Sequence, residues 1–147
     1  MDQPSETLTL ERLDTLVGKW TMEAAPVGGP PFPGEAAVTF EWLNGRKFLI
    51  ERWAVPSAFD GIAVIGAGEQ PDSLRRHYFD ARGEHRVYEM TFRDGVWTQW
   101  RDASDPFPQR FSATFADDAK TISGRWEKAT DGSTWEDDID IVYRRMA

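Results

Sequence analysis

Tyr88-Glu89-Met90-Thr91-Phe92-Arg93-Asp94-Gly95-Val96-Trp97-Thr98-Gln99-Trp100-Arg101 reads as two alternating runs joined at Asp94-Gly95. Both turn residues tolerate positive φ, which a two-residue hairpin turn needs if its twist is to match the flanking strands. With that turn, Phe92 faces Trp97, Met90 faces Gln99 and Tyr88 faces Arg101, while Thr91 meets Thr98 on the other side. One face then carries the rings and the other the hydroxyls, as a half-buried antiparallel pair requires.

The same signal recurs along the chain. Asn44-Gly45, Asp60-Gly61 and Asp131-Gly132 mark further turns, and Ala81-Arg82-Gly83 and Ala116-Asp117-Asp118-Ala119 mark slightly longer ones. Between them, strands are predicted at 17–25, 35–43, 46–55, 61–68, 73–80, 85–93, 96–102, 109–116, 120–129 and 134–144. Only the N-terminus looks helical: Leu8, Leu10, Leu13, Leu16 and Val17 recur near helical spacing behind a Ser5 or Thr7 cap, for about two turns. Residues 26–34 hold four prolines and three glycines and form a loop. Proline-bearing loops are also expected at 56–60 and 102–108. Many short strands with no long helix leave exposed edges, which closure into a barrel removes. The expected fold is therefore all-β, an antiparallel up-and-down barrel of about ten strands behind a short helix.

Composition bounds the function. The chain has 147 residues, 40% of them hydrophobic, with 7 Trp, 3 Tyr and 9 Phe, enough for one core; a single domain over 1–147 is expected, with 1–6 flexible. A net charge of −8 argues against nucleic acid and against anionic membrane surfaces as partners. No cysteine is present, which excludes disulfides, thiol nucleophiles and iron–sulfur clusters. The opening Met1-Asp2-Gln3-Pro4-Ser5-Glu6 is acidic where a secretory leader is basic, so a cytoplasmic location is expected; a homodimer is left open.

Hairpin logic also assigns side chains to the interior. Asn44-Gly45 taken as a two-residue turn pairs Leu43 with Arg46, Phe40 with Leu49 and Val38 with Glu51, giving a face of Val38, Phe40, Trp42, Leu49, Glu51 and Trp53. A four-residue loop 81–84 pairs Asp80 with His85, setting His77 opposite Tyr88 inside and Arg76 opposite Glu89 outside. Asp131-Gly132 pairs Trp126 with Asp137, Gly124 with Ile139 and Ile122 with Ile141. The lumen so drawn is lined by Phe40, Trp42, Trp53, Tyr88, Met90 and Trp126, with Glu51, His77, Gln99, Arg101 and Asp137 projecting into it. Charge is costly to bury alone, so these groups pair with one another, sit at the wet ends, or surround a ligand.

At Leu16-Val17-Gly18-Lys19-Trp20, a Gly-x-Trp opening the first strand behind a short helix, the chain resembles the calycins, the superfamily of lipocalins and fatty-acid-binding proteins. It is similar more closely to a bacterial lipocalin-like family of unknown function. That likeness rests on Tyr78-Phe79-Asp80 with Gly83 and Tyr88, then Gly124-Arg125-Trp126-Glu127, then Asp131-Gly132 with Trp135, ending at Tyr143-Arg144, and spans residues 8–145. The resemblance implies a ten-strand barrel with a ligand cavity. Nitrobindins, a related branch, bind haem through a late histidine and carry a longer glycine-rich motif after the Trp. Here Thr21-Met22-Glu23-Ala24 follows Trp20 and the histidines, His77 and His85, are mid-chain, so haem is not expected and no cofactor is assigned.

Two functions are compatible with these residues. The first is an intracellular barrel holding a small hydrophobic or aromatic molecule in its lumen. The alternative is a cofactor-independent isomerase or cyclase in the same cavity, with Glu51, His77 and Tyr88 as acid/base candidates. Glu51 reads equally as a partner of Arg101 or Lys47. No metal site is expected, because His77 and His85 are drawn on opposite faces and His85 with Asp80 gives too few ligands. The stretch Gly61 to Gly68 is glycine-rich but reads as a buried strand, with no helix or ribose partner following.

Overall fold

A computed structural model describes residues 10–56, 58–104 and 106–146. They form ten strands: β1 (Gly18–Pro26), β2 (Ala36–Trp42), β3 (Leu49–Ala54), β4 (Gly61–Ala67), β5 (Leu74–Asp80), β6 (His85–Arg93), β7 (Val96–Arg101), β8 (Gln109–Phe115), β9 (Thr121–Lys128) and β10 (Glu136–Arg145). Each pairs antiparallel with its sequence neighbours, and β1 closes on β10, so no edge is left unpaired. The expected antiparallel up-and-down barrel is what forms. Among the described residues, no helix is long and apolar enough to cross a membrane.

Strand direction gives the barrel two ends. Loops 43–48, 68–73, 94–95 and 116–120 lie at the base; loops 27–35, 55–60, 81–84, 102–108 and 129–135 lie at the other end, so all three proline-bearing loops gather there. The base is sealed. A helical turn at 10–12 runs into a 3-10 helix, Leu13–Leu16, burying Leu10, Leu13 and Leu16. The Trp20 indole, fully buried, donates to the Leu16 carbonyl at 2.8 Å, and the Arg145 guanidinium lies 4.1 Å over that ring. Arg145 also donates to the Val17 carbonyl at 2.9 Å and to that of Thr15. The expected caps Ser5 and Thr7, and Leu8, lie outside the described residues, as do 1–6.

The hairpin at Asp94-Gly95 has the expected register, Phe92 to Trp97 and Met90 to Gln99, with the Thr91 and Thr98 hydroxyls bonded outside. Asp94 at φ 55° and Gly95 at φ 74° supply the two positive angles of the tight turn. Three other registers differ. Leu43 N–H donates across to the Phe48 carbonyl while Arg46 N–H turns back onto the Leu43 carbonyl, so the turn is longer, Phe40 faces Glu51 and Val38 faces Trp53. This slip of two residues leaves every side chain on its expected face. Between β5 and β6 the slip is one: Phe79, not Asp80, pairs with His85. His77 therefore faces Val87 on the outside, and Arg76 faces Tyr88 within.

The cause is the turn. Asp80 N–H donates to the Glu84 carbonyl, Gly83 N–H to the Asp80 carbonyl, and Gly83 sits at φ 89°, so the loop is three residues, 81–83, with glycine in the left-handed position. In the last hairpin, Asp131 accepts from the backbone N–H groups of Ser133 and Thr134, which lengthens the connection. A bulge between Asp137 and Ile139 then brings Ile139, not Asp137, opposite Trp126. Asp137 is exposed beside Arg125 at 3.4 Å, so its expected place in the lumen is also corrected.

Candidate functional site

The lower lumen is a packed core. Trp20, Phe40, Leu49, Ile65, Leu74, Met90, Trp97 and Ile122 are all buried, and Gln99 within them accepts from the Trp97 indole at 3.3 Å. Phe40, Met90 and Gln99, expected around a ligand, thus fill this core. Trp42 is lower still: its indole donates to Asp14 at 2.8 Å, with Arg46 4.8 Å over the ring. Hydrogen bonds from Trp42 and Arg46 hold the Asp14 carboxyl below its ordinary range.

Halfway up lies an ion pair. Glu51 on β3 and Arg76 on β5, 2% and 5% exposed, meet through Arg76 Nε and Nη2, both donating to Glu51 Oε1 at 3.2 and 3.0 Å. Burial opposes the charge on Arg76, but the Glu51 carboxylate outweighs it and raises the guanidinium above its ordinary value. The partner of Glu51 is therefore neither Arg101 nor Lys47. Around the guanidinium stand three rings, Trp53, Tyr78 and Tyr88, each with its centroid 5.8 Å from Arg76 Cζ. Below, Tyr143 is driven above the ordinary phenol value by burial and by the Glu51 charge.

Above this pair, inward side chains become partly exposed. Tyr78 stacks on Trp53 at 5.3 Å, and Tyr88 meets Trp126 edge-on at 5.5 Å. Gly61 is what lets Trp53 lie there, since a Cβ at that position would come within 2.2 Å of the indole. Tyr78, Trp126, Ile139 and Gln109 are all half-buried at the open end. Gln109 Oε1 gathers three donors: the Tyr88 hydroxyl at 3.0 Å, Arg86 at 3.3 Å and Arg101 at 3.4 Å. Arg101 also holds the loop above it through the Phe107 carbonyl at 2.9 Å. At the rim the Tyr78 hydroxyl and Arg82 both donate to Asp80 Oδ2, at 2.5 and 2.8 Å. Burial raises both groups' tendency to stay protonated. For Asp80, hydrogen bonds from Arg82 and Tyr78 overcome that and hold its carboxyl well below the carboxylate range; Tyr78 rises above its ordinary value through burial and its bond to Asp80.

The sequence-expected residues therefore divide. Trp53, Tyr88, Arg101 and Trp126 meet at the open end over Glu51; Phe40, Met90, Gln99 and Trp42 lie below; His77 and Asp137 are outside. His77 and His85 share the outer face, their rings stacked 6.2 Å apart, rather than lying on opposite faces. No histidine faces the lumen among the described residues. No cluster of three His, Cys, Asp or Glu suited to a metal occurs among the described residues. Two surface concavities, of about 220 and 390 Å³, lie beside Trp42 and Arg46 at the base and along Lys19, Thr39 and Arg52 on the outer wall. Arg76, Tyr78, Arg86 and Gln109 were missed by sequence reasoning. For Arg76 the signal was Gly83, whose place marks a three-residue loop.

Comparison of the structure with solved ones finds ten-stranded barrels over nearly the whole chain. The fold is calycin-like. Rv2717c from M. tuberculosis superposes with a TM-score of 0.67 at 16% identity, covering 95% of this chain and 98% of that one. The S-type phycobiliprotein lyase CPES from Guillardia theta superposes with a TM-score of 0.64 at 10% identity, covering 100% and 98%. No family model and no curated protein matches the chain in sequence. At these identities the calycin-like barrel is shared, and chemistry has to be argued from the residues.

Proposed function

We propose that the chain is a small-molecule-binding barrel that takes a compact aromatic or apolar molecule at its open end. The observation that carries this is the change in the lumen along its axis: a packed core gives way, above Glu51–Arg76, to half-buried Tyr78, Trp126 and Ile139 among hydrogen-bonding groups. Rings with a few convergent polar groups are what small-ligand sites are lined with. The calycin-like fold is consistent with that use of a lumen. An acid/base enzyme of the kind the sequence suggested has less support, because His77 is outside and Glu51 is engaged by Arg76.

The reading is tested by titrating the protein with 2-naphthamide, an uncharged probe, while recording tryptophan emission. Saturable one-site binding that is lost in Ile139→Arg, a substitution that fills the opening, is expected. Binding unaffected by Ile139→Arg, or no saturation, would overturn it.

A further inference from the structure

Outside the lumen, we infer that the outer wall formed by β4, β5 and β6 is an interface with a second copy of this chain, packed face to face about a twofold axis. The registers set the outward residues of these strands in three rows. Ile62, Phe79 and His85 stand toward the rim, Val64, His77 and Val87 in the middle, and Gly66, Arg75 and Glu89 toward the base. The ring of Phe48, just before β3, lies over Gly66, where a Cβ would come within 2.8 Å of it, and so completes the lower row. Of the seven large hydrophobic side chains exposed among the described residues, four are here: Phe48, Ile62, Phe79 and Val87.

The opposite wall is built differently. On β8, β9 and β10 outward cations meet outward carboxylates, Arg110 with Glu127 at 3.0 Å and Arg125 with Asp140 at 2.6 Å. An apolar patch gathered on one wall marks an interaction surface. Its size sets what it can hold. With Ile50 and Arg52 of β3 alongside, four strands about 4.8 Å apart and three outward positions about 6.7 Å apart cover roughly 400 Å² in projection. Two such faces, with the relief of their side chains, hide about 1,000 Å², the least a specific interface needs and the size of a reversible one.

The arrangement of the rows chooses the occupant, because the face is complementary to itself in one orientation. With the twofold axis along the middle row, Val64, His77 and Val87 meet their own counterparts, and the upper row meets the lower row of the other copy. Ile62 then rests on Phe48, the Phe79 ring receives the Arg75 guanidinium, and the His85 imidazole faces the Glu89 carboxylate. With the axis along β5 instead, Arg75 faces Arg75 and Phe48 faces Glu89, which like charge and desolvation oppose. Repulsion between two copies of charge −8 is screened beyond about 8 Å at physiological salt, which leaves the contact to the face itself.

Sedimentation velocity of the full chain at pH 7.5, over about 5 to 500 µM, reads the association by mass action. The sedimentation coefficient is expected to rise with concentration to the dimer value. Val87→Asp and Ile62→Asp, both at exposed positions that the barrel does not need, set a carboxylate in the apolar contact. Each is expected to weaken association about 10-fold or more, and Ser112→Asp on the opposite wall to leave it unchanged. The chain has no cysteine, so Val64→Cys carries a single thiol at the axis. A short bismaleimide is expected to link it into dimers and to leave Ser112→Cys unlinked. A monomer at every concentration would overturn the inference, as would association undiminished in both aspartate variants. Dimers in which Val64→Cys does not link would overturn the axis.

Discussion

The two ends of this barrel are made of similar residues used differently. At the base, Trp20 and Arg145 are an aromatic ring and a guanidinium whose polar atoms are spent on backbone carbonyls of Leu16, Val17 and Thr15. Beneath the open end, Trp53 and Arg76 are again a ring and a guanidinium, yet Arg76 is held by a side chain and keeps Nη1 unpartnered. The first arrangement closes the sheet, and the second leaves hydrogen-bonding capacity facing a partly wet opening. The difference teaches that burial alone does not mark a structural residue; the destination of each donor does.

That contrast can be broken from the base first. Trp20→Ala removes a fully buried ring and leaves the Leu16 carbonyl without its donor, so a loss of about 4–5 kcal/mol is expected in equilibrium denaturation. A loss under about 1 kcal/mol would mean that the base is not the structural end. In the middle, Arg76→Met strands the buried Glu51 carboxylate and is expected to cost about 3 kcal/mol or more, whereas Glu51→Gln/Arg76→Met is expected to recover most of it. Equal loss in both would show that packing, not the pair, holds this level.

At the open end, Gly61→Ala forces Trp53 off its seat and is expected to cost about 1–3 kcal/mol, with a red shift of tryptophan emission as that indole meets water. Unchanged emission would place Trp53 elsewhere. The smallest effects are in acid. Asp80 is held below its ordinary carboxylate value in the folded chain, so its contribution is present above about pH 4 and is lost as pH falls below the unfolded value toward the folded one. Asp80→Asn should therefore flatten the acid limb of the stability curve. Asp14→Asn at the base, where the carboxylate is mostly exposed, should change it by no more than about 0–1 kcal/mol. A larger effect at Asp14 than at Asp80 would reverse the comparison.

How much was legible follows from the arithmetic of registers. Asp94-Gly95 fixes a two-residue turn by its own φ preferences, and its hairpin was readable down to the pairs. Asn44-Gly45 was read two residues short, an error that keeps parity, so Glu51 and Trp53 were placed inside correctly. Ala81-Arg82-Gly83 was read one residue long, and parity reversed: His77 was put inside and Arg76 outside. The doubled arginine hid the mistake, because either register sets an arginine opposite Glu89; the structure pairs Arg75 with it, at 2.7 Å. The bulge that turns Asp137 outward has no comparably local signal, since it goes with the placing of Ile139 beside Trp126 on the neighbouring strand. The barrel itself was legible because closure depends on the number of strands and turns, which survives errors of register.

The central claim is that the open end, and not the base, is where a ligand enters. Trp20, Trp42 and Trp97 lie in the base and lower lumen and Trp53 and Trp126 above them, which makes these indole N–H resonances a direct reporter. Adding 2-naphthamide to ¹⁵N-labelled protein is predicted to shift the Trp53 and Trp126 indole signals saturably while those of Trp20 and Trp97 stay in place. Saturable shifts at Trp20 or Trp42 with Trp53 and Trp126 unmoved, or no saturable shift at any indole, would contradict it.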